Sequence, residues 1–165
     1  MTIAIIATLV SLFAVAWPGH APKTAPKVGS PTTAPAAVSL TGVSLQDADG
    51  KPVGLVELTP AVVLLVDGCS CEQLIRSTVD AAAAAKDTIK VVVVATRPPT
   101  LPGQLNPKVT VRSLGDPNGS LRASVPALAG DRTTAAVLVD YHGKLVRAVR
   151  SVTTPDPFVS ELSGL

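Results

Sequence analysis

Two apolar runs separated by a helical stretch constrain the fold of this chain more than any other feature. Residues 61–66 and 89–95 are almost entirely apolar and rich in valine, as is typical of strands covered on both faces. Residues 72–86 between them contain a run of alanines, which favours helix. This stretch has apolar residues at helical spacing: Ile75, Val79, Ala82 and Ala83. The order strand, helix, strand predicts a βαβ unit with parallel pairing and a right-handed crossover.

Shorter elements are expected around this unit. Clusters of Asp, Gly, Asn and Pro mark the turns between them, and no internal repeat is visible. Further strands are expected at 43–45, 52–58, 109–111, 135–139 and 145–149, and short helices at 120–125 and 157–162. The length of 165 residues favours a single α/β domain.

The charge distribution argues against nucleic-acid binding. The formal net charge is +2 at pH 7, and Lys23 and Lys27 account for that excess. The chain from Val43 onward is therefore neutral and has no electrostatic footprint for phosphates. Aromatic residues, on which bases would stack, make up only 2% of the sequence. We expect no nucleic-acid partner.

The first 17 residues form a hydrophobic segment. Residues 3–17 carry no charge, and their length suits a signal peptide or a short anchor, because a straight spanning helix needs about 20 residues. Ala14-Val15-Ala16 resembles a small-x-small cleavage site. The lysines after the segment would favour a cytoplasmic C-terminal side by the positive-inside rule, but two lysines are a weak signal. We predict an anchored or exported chain whose domain is extracytoplasmic.

Residues 18–39 are predicted to be a linker. Five prolines recur here among Ala, Thr, Ser and Lys: Pro18, Pro22, Pro26, Pro31 and Pro35. Proline at this density prevents helix and favours extended, semi-rigid chain. We interpret the stretch as a spacer, although a tail without a spacing role has the same composition. Residues 40–165 then form the folded domain.

The only two cysteines, Cys69 and Cys71, are the concentrated chemistry of the chain. Scaffold disulfides of small secreted proteins close long loops, whereas a bond between these two would close almost none and would add little stability. With one residue between them they can close only a tight ring, and strain makes a disulfide easier to reduce. The cysteines therefore point to chemistry rather than to scaffold stability.

The start of the helix gives the two cysteines different predicted roles. Ser70 and Gln73 form the S-x-x-Q pattern of a capping box, with Ser70 as N-cap and Cys71 as the first helical residue. Unpaired amides and the helix dipole stabilise negative charge there, and the thiolate is the reactive form of cysteine. We predict Cys71 as the nucleophile and Cys69 as the resolving thiol.

Two other interpretations of the cysteines stay open. They could be small apolar residues beneath the sheet, or two thiolate ligands for a soft metal such as Cu(I). Two ligands are too few for a closed zinc site, so His142 or His20 would have to be recruited. Asp67 could accept a proton beside the cysteines, although an acid before a turn is more often a turn former.

The order and spacing of these motifs resemble the thioredoxin-like fold, in the branch of membrane-tethered thiol–disulfide proteins and their peroxiredoxin-like relatives. The resemblance covers about residues 43–165. It is carried by SLQDADGKPV at 44–53, by the strand and cysteines at 62–71, by GDPNGSL at 115–121 and by residues 133–146. It implies a three-layer α/β fold with a central mixed sheet, here behind an N-terminal hydrophobic helix and a Pro-rich linker. It also implies that the domain exchanges disulfides with protein thiols or disulfides, which could include those of a membrane redox partner. It implies no cofactor.

Two departures from the family pattern fall in the predicted site. The family carries C-x-x-C after a tryptophan, whereas this chain has Gly68-Cys69-Ser70-Cys71. An ungapped count puts Cys71 at the nucleophile position, and a one-residue deletion would put Cys69 there. The family's cis-proline opposite the cysteines is replaced by Thr134, the predicted substrate-binding residue. Its loss weakens the expected grip on a substrate peptide and, in this fold, is permissive for metal binding.

The sequence therefore predicts extracytoplasmic thiol–disulfide exchange. The P-x-x-x-T-x-x-C motif of the peroxide-reducing subgroup is absent, which argues against peroxidase activity. A copper-binding module and a degenerate domain that only binds a partner protein are the alternatives.

Overall fold

The computed structural model describes residues 38–165, which form a seven-stranded sheet in the order β2-β1-β5-β4-β3-β6-β7. The strands are β1 (Ser44–Gln46), β2 (Pro52–Gly54), β3 (Ala61–Leu65), β4 (Lys90–Ala95), β5 (Val111–Gly115), β6 (Ala135–Val139) and β7 (Leu145–Arg150). The helices are α1 (Glu72–Ala85), α2 (Ser120–Ser124) and α3 (Val159–Leu162), with 3-10 turns at Leu55–Leu58 and Pro126–Leu128. The predicted hydrophobic segment at 1–17 and nearly all of the predicted linker lie outside the described residues.

The predicted βαβ unit is confirmed. β3 pairs in parallel with β4 along its whole length, and α1 connects them. β4 also pairs in parallel with β5, whereas β3 pairs antiparallel with β6, so the sheet is mixed as expected. Every residue of β3 and β6 is buried. Burial on both faces explains why these strands are continuous apolar runs rather than alternating ones.

Side chains on both faces of the sheet are covered, which gives the three layers. Successive residues of a strand point to opposite faces, so β3 sends Val62 and Leu64 to one side and Val63 and Leu65 to the other. The first side packs against α1 and α3 through Leu74, Ile75, Val79, Ala82, Phe158 and Leu162. The second side packs against α2 and the turn after it through Leu121, Val125 and Leu128. The C-terminal ends of the parallel strands β3, β4 and β5 form the upper edge of the sheet, which lies between helices of two layers.

Two strand predictions are wrong in their bounds. The strand expected at 109–111 is found at Val111–Gly115, where Arg112 and Ser113 interrupt the apolar pattern. These polar residues are tolerated because β1 pairs with β5 only through Gln46 and Gly115, which leaves Arg112 exposed. The strand expected over 52–58 ends at Gly54 and continues as a 3-10 turn.

The described chain begins at the end of the sheet opposite the cysteines. The Leu145 N–H donates to the Val38 carbonyl at 2.8 Å, and Ser39 forms an isolated antiparallel β-bridge with Lys144. Ala61 pairs with Val139 at this end, whereas the residues that lead to Cys69 follow the other end of β3. Within residues 38–165, no helix is both long enough and apolar enough to cross a membrane.

Candidate redox site

The cysteines lie where β3 ends and α1 begins. Gly68 adopts φ 75°, a left-handed conformation that glycine reaches without steric cost. This turn returns the Cys69 N–H to the Val66 carbonyl at 3.3 Å. The chain thus leaves the buried strand and enters the helix within a few residues, and both cysteines lie at the upper edge of the sheet.

Cys69 and Cys71 are joined in a disulfide, with 5.2 Å between their Cα atoms. Cys69 is exposed, whereas Cys71 is half-buried against the α1 side of the core. The interpretation of both cysteines as apolar residues beneath the sheet therefore does not fit Cys69. The disulfide therefore has Cys69 on its exposed side and Cys71 on its half-buried side.

The predicted capping box is wrong. The N-cap of α1 is Cys71, and no side chain caps the helix. Ser70 lies one residue too early, where its carbonyl accepts the Glu72 N–H. The Ile75 N–H donates to the Cys71 carbonyl at 2.9 Å, which is the first hydrogen bond of the helix. A thiolate on Cys71 would still lie at the positive end of the helix dipole, because Cys71 remains at the helix N-terminus.

Thr134, the predicted substrate-binding residue, lies against the disulfide. Its hydroxyl oxygen is 3.6 Å from the Cys69 sulfur and 3.7 Å from the Cys71 sulfur. It precedes β6, whose first residue, Ala135, pairs with Leu65 at the end of β3. The hydroxyl can donate a hydrogen bond to a sulfur that becomes a thiolate. Substrate binding by Thr134 stays a prediction.

Arg122 links the strand before the cysteines to the loop before Thr134. Its guanidinium contacts the Asp67 carboxylate at 3.2 Å, and the arginine side chain is only 11% exposed. It also donates to the carbonyls of Asp131 at 3.0 Å and Thr133 at 2.8 Å. The rigid fork of arginine suits such a set of acceptors. Arg122 therefore ties together the two segments that carry the disulfide and Thr134.

Asp67 is a partner of Arg122 and of the neighbouring strand rather than a free base. One carboxylate oxygen accepts hydrogen bonds from the Thr96 N–H at 2.8 Å and the Thr96 hydroxyl at 3.2 Å. The other accepts from Arg122. Both oxygens are thus engaged in holding the ends of β3 and β4 to α2.

The loop that precedes Thr134 is also fixed internally. The Thr133 N–H donates to the Asp131 carboxylate at 2.7 Å. Hydrogen bonds from the Thr133 backbone and side chain, with smaller contributions from Arg150 and Arg122, lower the pKa of Asp131 below its ordinary value. The carboxylate therefore stays ionised, and this keeps its hydrogen bond to the loop.

His142 is too far from the cysteines to join them in a metal site. His142 lies in the turn after β6, whereas Thr134 and the cysteines lie at the other end of that strand. Five strand residues span about 17 Å. Among residues 38–165, no group of three or more His, Cys, Asp or Glu side chains could hold a metal ion. His20 is outside the described residues.

Sequence reasoning missed Arg122. It is 55 residues from Asp67 in the chain and belongs to a short helix that gives no motif of its own. Its weak signal is its position in GDPNGSLR, directly after a stretch on which the family resemblance rests.

Comparison with known proteins identifies the architecture. No protein-family model and no curated protein sequence matches the chain. Among solved structures, the exposed lipoprotein thioredoxin Etrx1 of Streptococcus pneumoniae strain TIGR4 matches with a TM-score of 0.52 and 22% identity, over 74% of this chain and 98% of that one. The chain has a thioredoxin-like fold.

Two further structures match this thioredoxin-like domain. A secreted Mycobacterium tuberculosis disulfide oxidoreductase homologous to E. coli DsbE has a TM-score of 0.51 and 19% identity, over 74% of this chain and 96% of its own. The peroxidoxin BcpB of Mycobacterium tuberculosis has a TM-score of 0.53 and 15% identity, over 78% and 96%. Identities this low establish the fold and not the chemistry.

Proposed function

We propose that the thioredoxin-like domain exchanges disulfides with protein thiols through Cys69 and Cys71. The observation that carries this proposal is the surface disulfide at the start of α1, in contact with the Thr134 hydroxyl. An extracytoplasmic location, with the N-terminal segment as anchor or signal, completes the proposal. Two of the matching proteins, an exposed lipoprotein and a secreted oxidoreductase, support that location.

The proposed reaction moves two electrons. In the reduced domain, the Cys71 thiolate attacks a substrate disulfide, forms a mixed disulfide and releases one substrate thiolate. The Cys69 thiolate then attacks the Cys71 sulfur, which closes the Cys69–Cys71 disulfide and releases the second substrate thiolate. The substrate is reduced and the domain is oxidised, and the reverse sequence oxidises a substrate dithiol. Cys71 is assigned the attack because the helix N-terminus stabilises its thiolate.

Exposure supports the opposite order of the two cysteines. Cys69 is exposed and Cys71 is half-buried, which favours Cys69 as the residue that a bulky substrate reaches first. In that order the mixed disulfide forms on Cys69. The Cys71 thiolate is the leaving group when a substrate thiol attacks the oxidised domain, and it is the resolving thiolate when the reduced domain attacks a substrate disulfide. The overall exchange is the same in both orders.

Single cysteine variants test both the exchange and its order. With a disulfide-bonded protein substrate, we expect Cys71→Ser to abolish mixed-disulfide formation and Cys69→Ser to trap it, as measured by non-reducing gels and mass spectrometry. The reverse pattern would assign the attack to Cys69. If both variants exchange disulfides as well as the parent, the proposal fails.

The equilibrium potential of the disulfide tests the proposal independently. Thiol trapping across glutathione buffers should show reversible reduction within the range of known exchangers, roughly −120 to −270 mV. Cysteines that resist labelling until the domain unfolds would instead indicate a degenerate domain that only binds a partner.

A further inference from the structure

A polar cleft opens at the upper edge of the sheet, next to the disulfide. Its volume is about 290 Å³, and it lies where β3, β4 and β5 end, under α2. The residues that line it include Asp67, Thr96, Asp116, Asn118, Arg122 and Arg132. Small-molecule sites begin at about this volume, so the cleft has room for a ligand the size of a short peptide rather than for a protein element.

The cleft and the disulfide share two chain segments. Asp67 lines the cleft and is separated from Cys69 by one residue, and Arg132 lines it and is separated from Thr134 by one residue. Consecutive Cα atoms are about 3.8 Å apart, so two residues span at most about 8 Å. The part of the cleft lined by Asp67 and Arg132 therefore lies near the segments that carry the disulfide and Thr134.

The two carboxylates of the cleft are already engaged. The Asp67 carboxylate is engaged by Thr96 and Arg122. The buried Asp116 carboxylate accepts from the backbone N–H groups of Ser120 at 2.8 Å and Leu121 at 2.9 Å. Arg122 balances the charge of Asp67, and both oxygens of the Asp116 carboxylate have hydrogen-bond partners within the domain.

One cation of the cleft remains available. Arg132 is exposed and, among residues 38–165, makes no hydrogen bond or ion pair. Its neighbour Asp131 does not line the cleft, and its carboxylate accepts the Thr133 N–H instead. The guanidinium of Arg132 is therefore the free recognition group, and its geometry matches a carboxylate.

We propose that this cleft binds the carboxylate of a low-molecular-weight thiol and delivers its sulfur to the Cys69–Cys71 disulfide. This inference rests on the exchange function proposed above and names a substrate class for it. The bound thiolate attacks one cysteine sulfur, forms a mixed disulfide with it and releases the other cysteine as a thiolate. A second thiol molecule attacks the mixed disulfide, which releases the small-molecule disulfide and the fully reduced domain. Two thiols lose two electrons, and the protein disulfide gains them.

The test compares an anionic thiol with a neutral one. Reduction of the full-length chain by glutathione and by 2-mercaptoethanol would be followed by thiol trapping and mass spectrometry. Arg132→Gln is expected to lower the rate constant for glutathione roughly 3–10-fold, the effect of one nearby charge in water, and to leave that for 2-mercaptoethanol within about 2-fold. High salt should reduce the difference, because it screens an exposed charge.

A matched control removes a positive charge elsewhere. Lys144 is exposed in the turn at the opposite end of β6, so Lys144→Gln should change neither rate constant. An equal fall with both thiols for Arg132→Gln, or no fall with glutathione, would overturn the inference. An effect confined to an acidic protein substrate would also overturn it. If neither thiol opens the disulfide even in the parent, the exchange function itself fails.

Discussion

At the scale of single residues, the site depends on side chains that fix the backbone around the sulfurs. Thr134 contacts both sulfurs, and the carbonyl of the residue before it accepts a hydrogen bond from Arg122. Arg122 also reaches Asp67, two residues before Cys69. The Arg122 guanidinium, together with the pairing of Leu65 and Ala135, thus holds the segments that carry the disulfide and Thr134 side by side.

We expect Arg122→Lys to destabilise the domain by about 1–2 kcal/mol. Lysine keeps the charge but cannot donate in the fork that reaches Asp67 and both loop carbonyls, and hydrogen bonds to charged groups contribute about 1.5–3 kcal/mol each. Urea unfolding followed by circular dichroism measures the loss. The exposed Arg112 is the matched control, because Arg112→Lys should stay within about 0.5 kcal/mol of the parent. Equal small losses for the two variants would contradict the linking role of Arg122.

At the scale of elements, the first turns of α1 and α2 are stabilised in different ways. α1 begins at Cys71 with no side-chain cap. α2 has no cap from its N-cap residue either, but Asp116, 7% exposed, accepts hydrogen bonds from the Ser120 and Leu121 N–H groups. Among the described residues, no side chain therefore accepts hydrogen bonds from the first amides of α1 beside the disulfide, whereas the Asp116 carboxylate accepts them from α2.

Substitution of the two candidate capping residues should show this contrast. Asp116→Ala removes a buried carboxylate from several donors and should cost about 1–3 kcal/mol of unfolding free energy. Ser70→Ala should cost less than about 0.5 kcal/mol, because the Ser70 side chain makes no capping bond. Urea titrations of both variants give the comparison. A loss near 1 kcal/mol for Ser70→Ala would restore the capping box predicted from the sequence.

At the scale of the whole molecule, the sequence predicts what depends on local pattern and misses what depends on distant partners. The buried strands β3, β4 and β6 are apolar throughout because both faces are covered, so they could be predicted, as could the βαβ unit. β5 could not be placed correctly, because its polar residues are tolerated only by the limited pairing with β1. Motif order predicts Cys69, Cys71 and Thr134 as site residues, whereas the partners of Arg122 and the position of Arg132 at the cleft appear only once the chain is folded.

The stability of the domain should reside in this doubly covered sheet rather than in the disulfide. A loop of three residues, as Cys69 and Cys71 close, corresponds to only roughly 1.5 kcal/mol of loop entropy. Phe158, by contrast, is fully buried between α3 and the sheet, and Phe→Ala substitutions in cores cost about 3–5 kcal/mol. The redox state can then change without unfolding the domain, as an exchanger requires.

We therefore expect the Cys69→Ser/Cys71→Ser double variant of the full-length chain to lose no more than about 2 kcal/mol of unfolding free energy. Phe158→Ala should lose about 3–5 kcal/mol. Urea unfolding of both variants, and of the parent in its oxidised and reduced states, measures these losses. A double variant less stable than Phe158→Ala would make the disulfide a structural bond. Because opening a structural bond would then unfold the domain during every exchange, that outcome would also count against the proposed function.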